Sequence, residues 1–217
     1  ADYERLRKYC DTHHIPLIED AAQSQGAMYG KIPSGAMGDV SVFSFDPMKN
    51  MPSFGGGGMV LTDSKEIRDT IVSLRRHGIS GKDKYGYNSL ISEDHANQLL
   101  LLLKKFDRLQ AMREKVCRRY MKNIPEVQIL CPGPNTKSSH HKLVILNDRR
   151  DDLKAYLETK GIQTKIHYQK ILDAENVGQY PNAEKICAKA LSLPMYPHLK
   201  MKEVDYICDR IKEFIHV

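Results

Sequence analysis

Three short apolar runs, at residues 15–18, 40–45 and 59–61, alternate with turn-rich or helical sequence and most narrow what this chain can fold into. Runs that are apolar on both faces suit strands inside a sheet rather than at its wetted face. The first half of the chain is therefore predicted to be α/β, with a largely buried sheet. Its opening segment, with Tyr3, Leu6, Arg7, Tyr9 and Cys10, is patterned as a helix that leads directly into the first strand. A further helix is predicted over residues 65–76, capped by Ser64 or Asp63 and ended by Gly78, with a polar loop over residues 79–88 after it. The chain begins at Ala1, without Met and in the middle of an α/β unit, which predicts that part of a larger domain precedes it.

From Ser92 the longest helical pattern begins. Ala96, Leu99, Leu100, Leu103, Phe106, Leu109 and Met112 recur at helical spacing, and the pattern runs on to about Met121 as one predicted helix. Such a leucine stripe reads as core and here as a link between two lobes, because Pro125 and Cys131-Pro132-Gly133-Pro134 break the pattern before a new unit starts. That unit reads as a strand (142–146), a helix (151–160) stopped by Gly161, a strand (162–167), a loop, and helices at 182–190 and 202–215. The expected division is residues 1–112, the latter part of a ligand-binding large domain, and residues 113–217, a small carboxy-terminal α/β domain.

Composition excludes several classes. Five cysteines are scattered without a C-x-x-C pair, and no apolar run is long enough to span a bilayer, so the expectation is a reduced, cytoplasmic protein without a membrane partner. The net charge of +6 favours an anionic ligand. Its basic residues, such as Lys104, Lys105, Arg108, Arg113, Lys115, Arg118 and Arg119, lie along helices without interleaved aromatics, which reads as a solvated face and not as a nucleic-acid platform. His13-His14 and His140-His141 are adjacent pairs that a strand would point to opposite faces, and no third ligand is suitably spaced, so no metal site is expected.

The chemistry concentrates in Phe43-Ser44-Phe45-Asp46-Pro47-Met48-Lys49-Asn50, a strand end running into a turn with one lysine, followed by the glycines 55–58. A lysine that forms a Schiff base must be uncharged when it attacks, and an adjacent apolar strand favours that state. Taken alone, Lys49 reads as an exposed turn lysine rather than a reactive one. Its company shifts the reading. Ile18-Glu19-Asp20-Ala21-Ala22-Gln23 ends another strand with an acid and an amide. Pyridoxal phosphate needs a carboxylate on its pyridine nitrogen, which Asp20 can supply, while Gln23 can reach its ring hydroxyl and Ser44 its phosphate. The local alternatives are a helix cap or turn acid for Asp20 and backbone capping for the other two. The glycine run permits close approach to a ligand. It is not a nucleotide-phosphate loop, because the lysine precedes the glycines instead of following them at a helix start.

These stretches, together with Gly38-Asp39, Arg75-Arg76-His77-Gly78, Gly86-Tyr87-Asn88-Ser89, Gly161-Ile162, Ile166-His167-Tyr168 and Leu191-Ser192-Leu193-Pro194-Met195-Tyr196-Pro197, resemble the DegT/DnrJ/EryC1/StrS family of pyridoxal-phosphate-dependent sugar aminotransferases over nearly the whole chain. The resemblance implies an aspartate-aminotransferase-like α/β architecture (fold type I), represented by the latter part of the large-domain sheet and the small carboxy-terminal domain. It implies Lys49 as the catalytic, cofactor-carrying lysine, Asp20 on the pyridine nitrogen, Gln23 near the ring hydroxyl and Ser44 on the phosphate. Asn88 would reach the phosphate in a partner subunit of a homodimer with shared active sites, and His167 and Tyr168 would lie on the substrate side. It further implies glutamate as amino donor and a nucleotide-linked keto sugar as acceptor. The sequence departs from the family at Gln25, where a histidine is frequent, at Gly56 and at Leu90, and it lacks the family's preceding segment. A second reading is therefore a truncated, catalytically inert relative that serves as a binding module.

Overall fold

A computed structural model describes residues 1–79, 85–173, 175 and 177–216. Along the chain these form α1 (Tyr3–His13), β1 (Ile18–Asp20), β2 (Met28–Tyr29), β3 (Ile32–Pro33), β4 (Val40–Ser44), β5 (Gly58–Leu61), α2 (Lys65–Leu74), α3 (Glu93–Leu103) and α4 (Phe106–Asn123). There follow β6 (Thr136–Lys137), β7 (Leu143–Leu146), α5 (Arg150–Thr159), α6 (Pro181–Lys189), β8 (Ala190–Leu193) and α7 (Met201–Ile215). Two compact units result: Ala1–Asp107 with Gly133–Ser139, and Arg108–Pro132 with His140–Val217.

In the first unit, β4 is the centre of a three-stranded sheet, parallel to β1 and antiparallel to β5. The pairing with β1 runs from Ile18↔Val40 to Asp20↔Val42. Its entry is fixed by Asp39, whose carboxylate accepts the Leu17 N–H at 2.7 Å and the Arg7 guanidinium at 3.1 Å. Those bonds hold the Asp39 carboxyl below the usual carboxylate range, the Leu17 N–H contributing most. Beside it, the Glu19 carboxylate gathers the Gly35 and Met37 amides and the Ser41 hydroxyl, organising the approach to β4. A second small sheet, β3-β2-β6, is antiparallel throughout.

The second unit carries the apolar core. The β7–β8 hairpin pairs Leu143↔Leu193 through Leu146↔Ala190, and Val116, Tyr120, Ile124, Ile145, Leu153, Leu157, Leu191, Val204 and Ile211 are buried around it. Tyr120 places its hydroxyl on the Pro194 carbonyl at 3.1 Å, so the one polar atom of that ring is satisfied inside the core. At the rim, Arg119 grips Asp205 with two bonds of 2.6 and 2.7 Å, joining α4 to α7.

Several expectations are corrected. The first strand starts at Ile18 and not at Ile15, because Pro16 has no N–H to donate and the Leu17 N–H goes to the Asp39 side chain. The sheet is not largely buried within this chain: Ile18, Met59 and Val60 stand exposed on the two edge strands. The single long helix is two, since the Lys105 N–H turns back to the Leu102 carbonyl at 2.9 Å and tightens the last turn of α3. Its leucines are not all core, for Leu99 is buried whereas Leu100, Leu101 and Leu103 are exposed. The strand expected over 162–167 reduces to one bridge, Lys165↔Ser192, after which the chain turns away. The helix expected to reach Ala190 stops at Lys189, and Ala190–Leu193 forms the fully buried β8. The helix expected to reach Arg76 ends at Leu74, with Gly78 at φ 75° returning its N–H to Ser73. Of the loop expected over 79–88, residues 80–84 lie outside the described residues.

Two substitutions test this account. Leu153→Ala, at a fully buried position, is expected to destabilise the second unit by about 2–5 kcal/mol in urea unfolding. Gly38→Ala is expected to cost about 1–3 kcal/mol by overpacking. Its new Cβ would lie 2.6 Å from the Val40 carbonyl oxygen and 2.8 Å from both the Glu19 nitrogen and the Leu17 oxygen, all backbone atoms.

Candidate active site

Parallel strands deliver their carboxy-terminal ends to one side of a sheet, so the β1–β4 pairing brings Asp20 and Ser44 to the same edge. The ladder continues one step past Asp20, with the Ala21 N–H on the Val42 carbonyl at 2.9 Å. The Asp20 carboxylate then accepts the Ala22 N–H at 3.1 Å through Oδ1, an Asx turn that aims the exposed acid off the strand end. Gln23 follows with an exposed side chain, its backbone carbonyl held by the Ser139 hydroxyl at 3.0 Å.

Beyond β4 the chain folds into the turn that carries Lys49. The Ser44 Oγ accepts the Asp46 N–H at 3.3 Å, Asp46 Oδ1 accepts the Met48 N–H at 2.9 Å, and the Asp46 carbonyl accepts the Lys49 N–H at 2.9 Å. Each bond ties one residue to the next but one or two, so the turn is closed by its own short polar side chains. Phe45 anchors it from beneath, buried, with its N–H on the Gly57 carbonyl and its carbonyl receiving the Ser53 N–H, both at 2.8 Å. Lys49 itself is half-buried. The glycine run is required sterically at its end: Gly57 sits at φ 140°, and a Cβ on Gly58 would stand 2.9 Å from the Phe43 carbonyl oxygen.

Three residues of this region carry no role in the sequence reading and emerge only from the structure. Gln25, 5% exposed, donates from Nε2 to the Ser44 carbonyl at 2.7 Å and accepts the Met51 N–H on Oε1 at 3.0 Å. Asn50, also buried, donates to the Ser139 carbonyl at 2.7 Å, and Ser139 closes the circuit on Gln23. The sequence carries no signal for the role of Gln25, whose bonds go to backbone groups. Ser139 has none either, lying far from these residues in sequence.

The remaining candidates belong to other segments of the chain. Asn88 is exposed and forms a backbone bridge with Arg76 just beyond α2. His167 and Tyr168 belong to the second unit, where His167 Nδ1 meets the Ser192 hydroxyl at 2.8 Å and Tyr168 is exposed. Burial, then the charges of Lys142 and Lys165, lower the His167 pKa below the ordinary histidine value. Lys142 Nζ also lies 2.9 Å from Nε2 of its chain neighbour His141. Arg113, buried on α4, spans the carbonyls of His140 and Met195 at 3.3 Å each, and desolvation lowers its pKa.

The architecture is that of the fold-type I aminotransferases, as its likeness to solved structures of that fold shows. The model of the DegT/DnrJ/EryC1/StrS aminotransferase family matches residues 1–212, and the chain belongs to that family. It is 34% identical over 99% of its length to a Geobacillus stearothermophilus protein named pleiotropic regulatory protein, covering 62% of it. It is 32% identical over 99% of its length to the dTDP-3-amino-3,4,6-trideoxy-alpha-D-glucose transaminase of Streptomyces venezuelae, covering 60% of it. The crystal structure of S. venezuelae DesV in complex with a ketimine intermediate superposes at a TM-score of 0.94, with 31% identity, over all of this chain and 62% of DesV. The chain thus spans about three fifths of the length of these relatives.

The local electrostatics yield a direct check. The His167 imidazole is expected to titrate below about 6.5, the ordinary value, in histidine proton NMR spectra. Lys142→Met removes a cation that disfavours the protonated ring, and is expected to move that midpoint upward.

Proposed function

We propose that the chain is part of a pyridoxal-phosphate-dependent aminotransferase that moves an amino group from glutamate onto a keto carbon of a nucleotide-linked sugar. The observation that carries this reading is the order of three unlike residues at and beyond the carboxy-terminal ends of two paired parallel strands: Asp20 ends β1, Ser44 ends β4, and Lys49 lies in the turn that follows. That donor set fits the cofactor. Asp20 would hold the pyridine nitrogen, with Oδ1 already engaged by the Ala22 N–H; Gln23 would hold the ring hydroxyl, Ser44 the phosphate, and Lys49 the reactive carbon. When bound, pyridoxal phosphate supplies the electron sink for transamination.

Lys49 then has two duties. It would hold the cofactor through Nζ, and the same Nζ, when free, would carry a proton from and to the substrate carbon. His167, held on Ser192, and the exposed Tyr168 are read as substrate-side residues. The transaminase name of the Streptomyces venezuelae relative supports the sugar substrate. A homodimer with shared sites is part of the same reading: Asn88 would serve the partner's phosphate, and the exposed Leu100, Leu101 and Leu103 of α3 supply apolar surface for a second copy. A cytoplasmic setting accompanies it; among the described residues no helix is long and apolar enough to cross a membrane. An inert binding module is the second reading, favoured by the regulatory name of the Geobacillus stearothermophilus relative.

Pyridoxal phosphate followed by borohydride is expected to label Lys49 stoichiometrically, as mapped by peptide mass, with the label lost in Lys49→Ala. Absent label, or label scattered over surface lysines, would overturn the enzymatic reading of this chain in favour of the binding module.

A further inference from the structure

We propose that Gln25 is the positioning residue of the lysine turn, an amide clamp that holds Ser44 and Met51 at a fixed separation and so sets where Lys49 can reach. The inference rests on the cofactor reading of Lys49 and adds to it a residue that contacts neither cofactor nor substrate. Ser44 closes β4 and Met51 lies two residues beyond Lys49, so the two backbone groups that Gln25 grips bracket the reactive side chain. One presents a carbonyl, which can only accept, and the other an N–H, which can only donate. The orientation of the Gln25 amide is thereby fixed. Few side chains can satisfy both from one position: leucine satisfies neither, and a carboxylate satisfies Met51 while setting oxygen against the oxygen of Ser44.

The clamp is itself buttressed. Asn50, adjacent to Lys49, reaches the Ser139 carbonyl, and Ser139 reaches the carbonyl of Gln23, two residues before Gln25. The loop after β1 and the turn after β4 are thus joined twice, once directly and once through Ser139. Gln25, Asn50 and Ser139 are all buried, where a broken hydrogen bond leaves an unpaired group that water does not repair. The turn contains neither glycine nor an extended ladder of its own, so this side-chain circuit supplies the rigidity that strand pairing supplies elsewhere.

Two variants and two readouts test the proposal. In Gln25→Leu the Met51 amide is expected to exchange with solvent about tenfold faster and Lys49 to take the borohydride-trapped pyridoxal phosphate about tenfold more slowly, while amides of the β4–β5 ladder keep their rates. Gln25→Glu is isosteric, and its protonated acid again offers one donor and one acceptor. Its labelling relative to the wild type is expected to rise as pH falls and the carboxylate gains its proton; the leucine variant's relative labelling stays flat. Should the leucine variant fail to fold, the pH trend of the glutamate variant decides. Wild-type labelling at Lys49 in the leucine variant, unchanged Met51 exchange, or a glutamate variant without the pH trend overturns the clamp alone. A wild-type chain that takes no label at Lys49 overturns the cofactor reading, and the purpose assigned to Gln25 with it.

Discussion

The parallel register between β1 and β4 is the constraint on which the site depends. Ile18 opposite Val40 puts Asp20 opposite Val42 and brings Ser44 out at the same edge; a slip of one residue would turn Ser44 to the other face of the sheet. Two carboxylates guard that register from the entry side. Asp39 fastens the strand start to Leu17 and to Arg7 of α1, and Glu19 collects two amides and a hydroxyl from residues 35–41. Gly38 lets the backbones approach to a distance that no side chain allows. The acids at the entry are spent on holding the strands, which leaves the exit for chemistry.

The two units are stabilised by different means. The second is built on apolar burial, with Ile145, Leu153, Leu157, Leu191 and Ile211 removed from water around one hairpin. In the first, Gln25, Ser41, Asn50, Ser53, Ser73 and Ser139 are buried beside Cys10, Ala21, Phe45 and Leu99. A polar interior is directional. It tolerates less displacement than an oily one, because each bond fails within a fraction of an ångström, so the turn that carries Lys49 rests on a directional interior.

The sequence made the strands at Val40–Ser44 and Gly58–Leu61 and the helices of both units legible because their periodicity and caps are local: Ser64 and Ser92 each accept a backbone N–H at the start of a helix. What it concealed depends on partners distant in the chain. The shift of β1 to Ile18 is dictated by Asp39, and the loss of the strand at 162–167 follows from a single pairing with Ser192. The break between α3 and α4 falls at Lys104 and Lys105, residues with good helix propensity and no punctuating glycine or proline. The candidates Asp20, Ser44 and Lys49 could be picked out because acid, hydroxyl and amine stand at the ends of recognisable runs. Gln25 could not be given a task, since its partners are backbone groups, which look alike in any sequence.

The return of Gly133–Ser139 to the first unit has a consequence for how the chain is made. The strand β6, which completes the β3-β2-β6 sheet, and the Ser139 carbonyl, which receives Asn50, leave the ribosome only after Arg108–Pro132 of the second unit. Domains generally fold in order of synthesis, but here the earlier unit must wait for part of the later one before its lysine turn is fully tied. Nor can one break in the polypeptide separate the units cleanly, because the chain passes from one to the other three times, after Asp107, Pro132 and Ser139. The two are interlaced in sequence, and a gene cut at any single point would leave one of them incomplete.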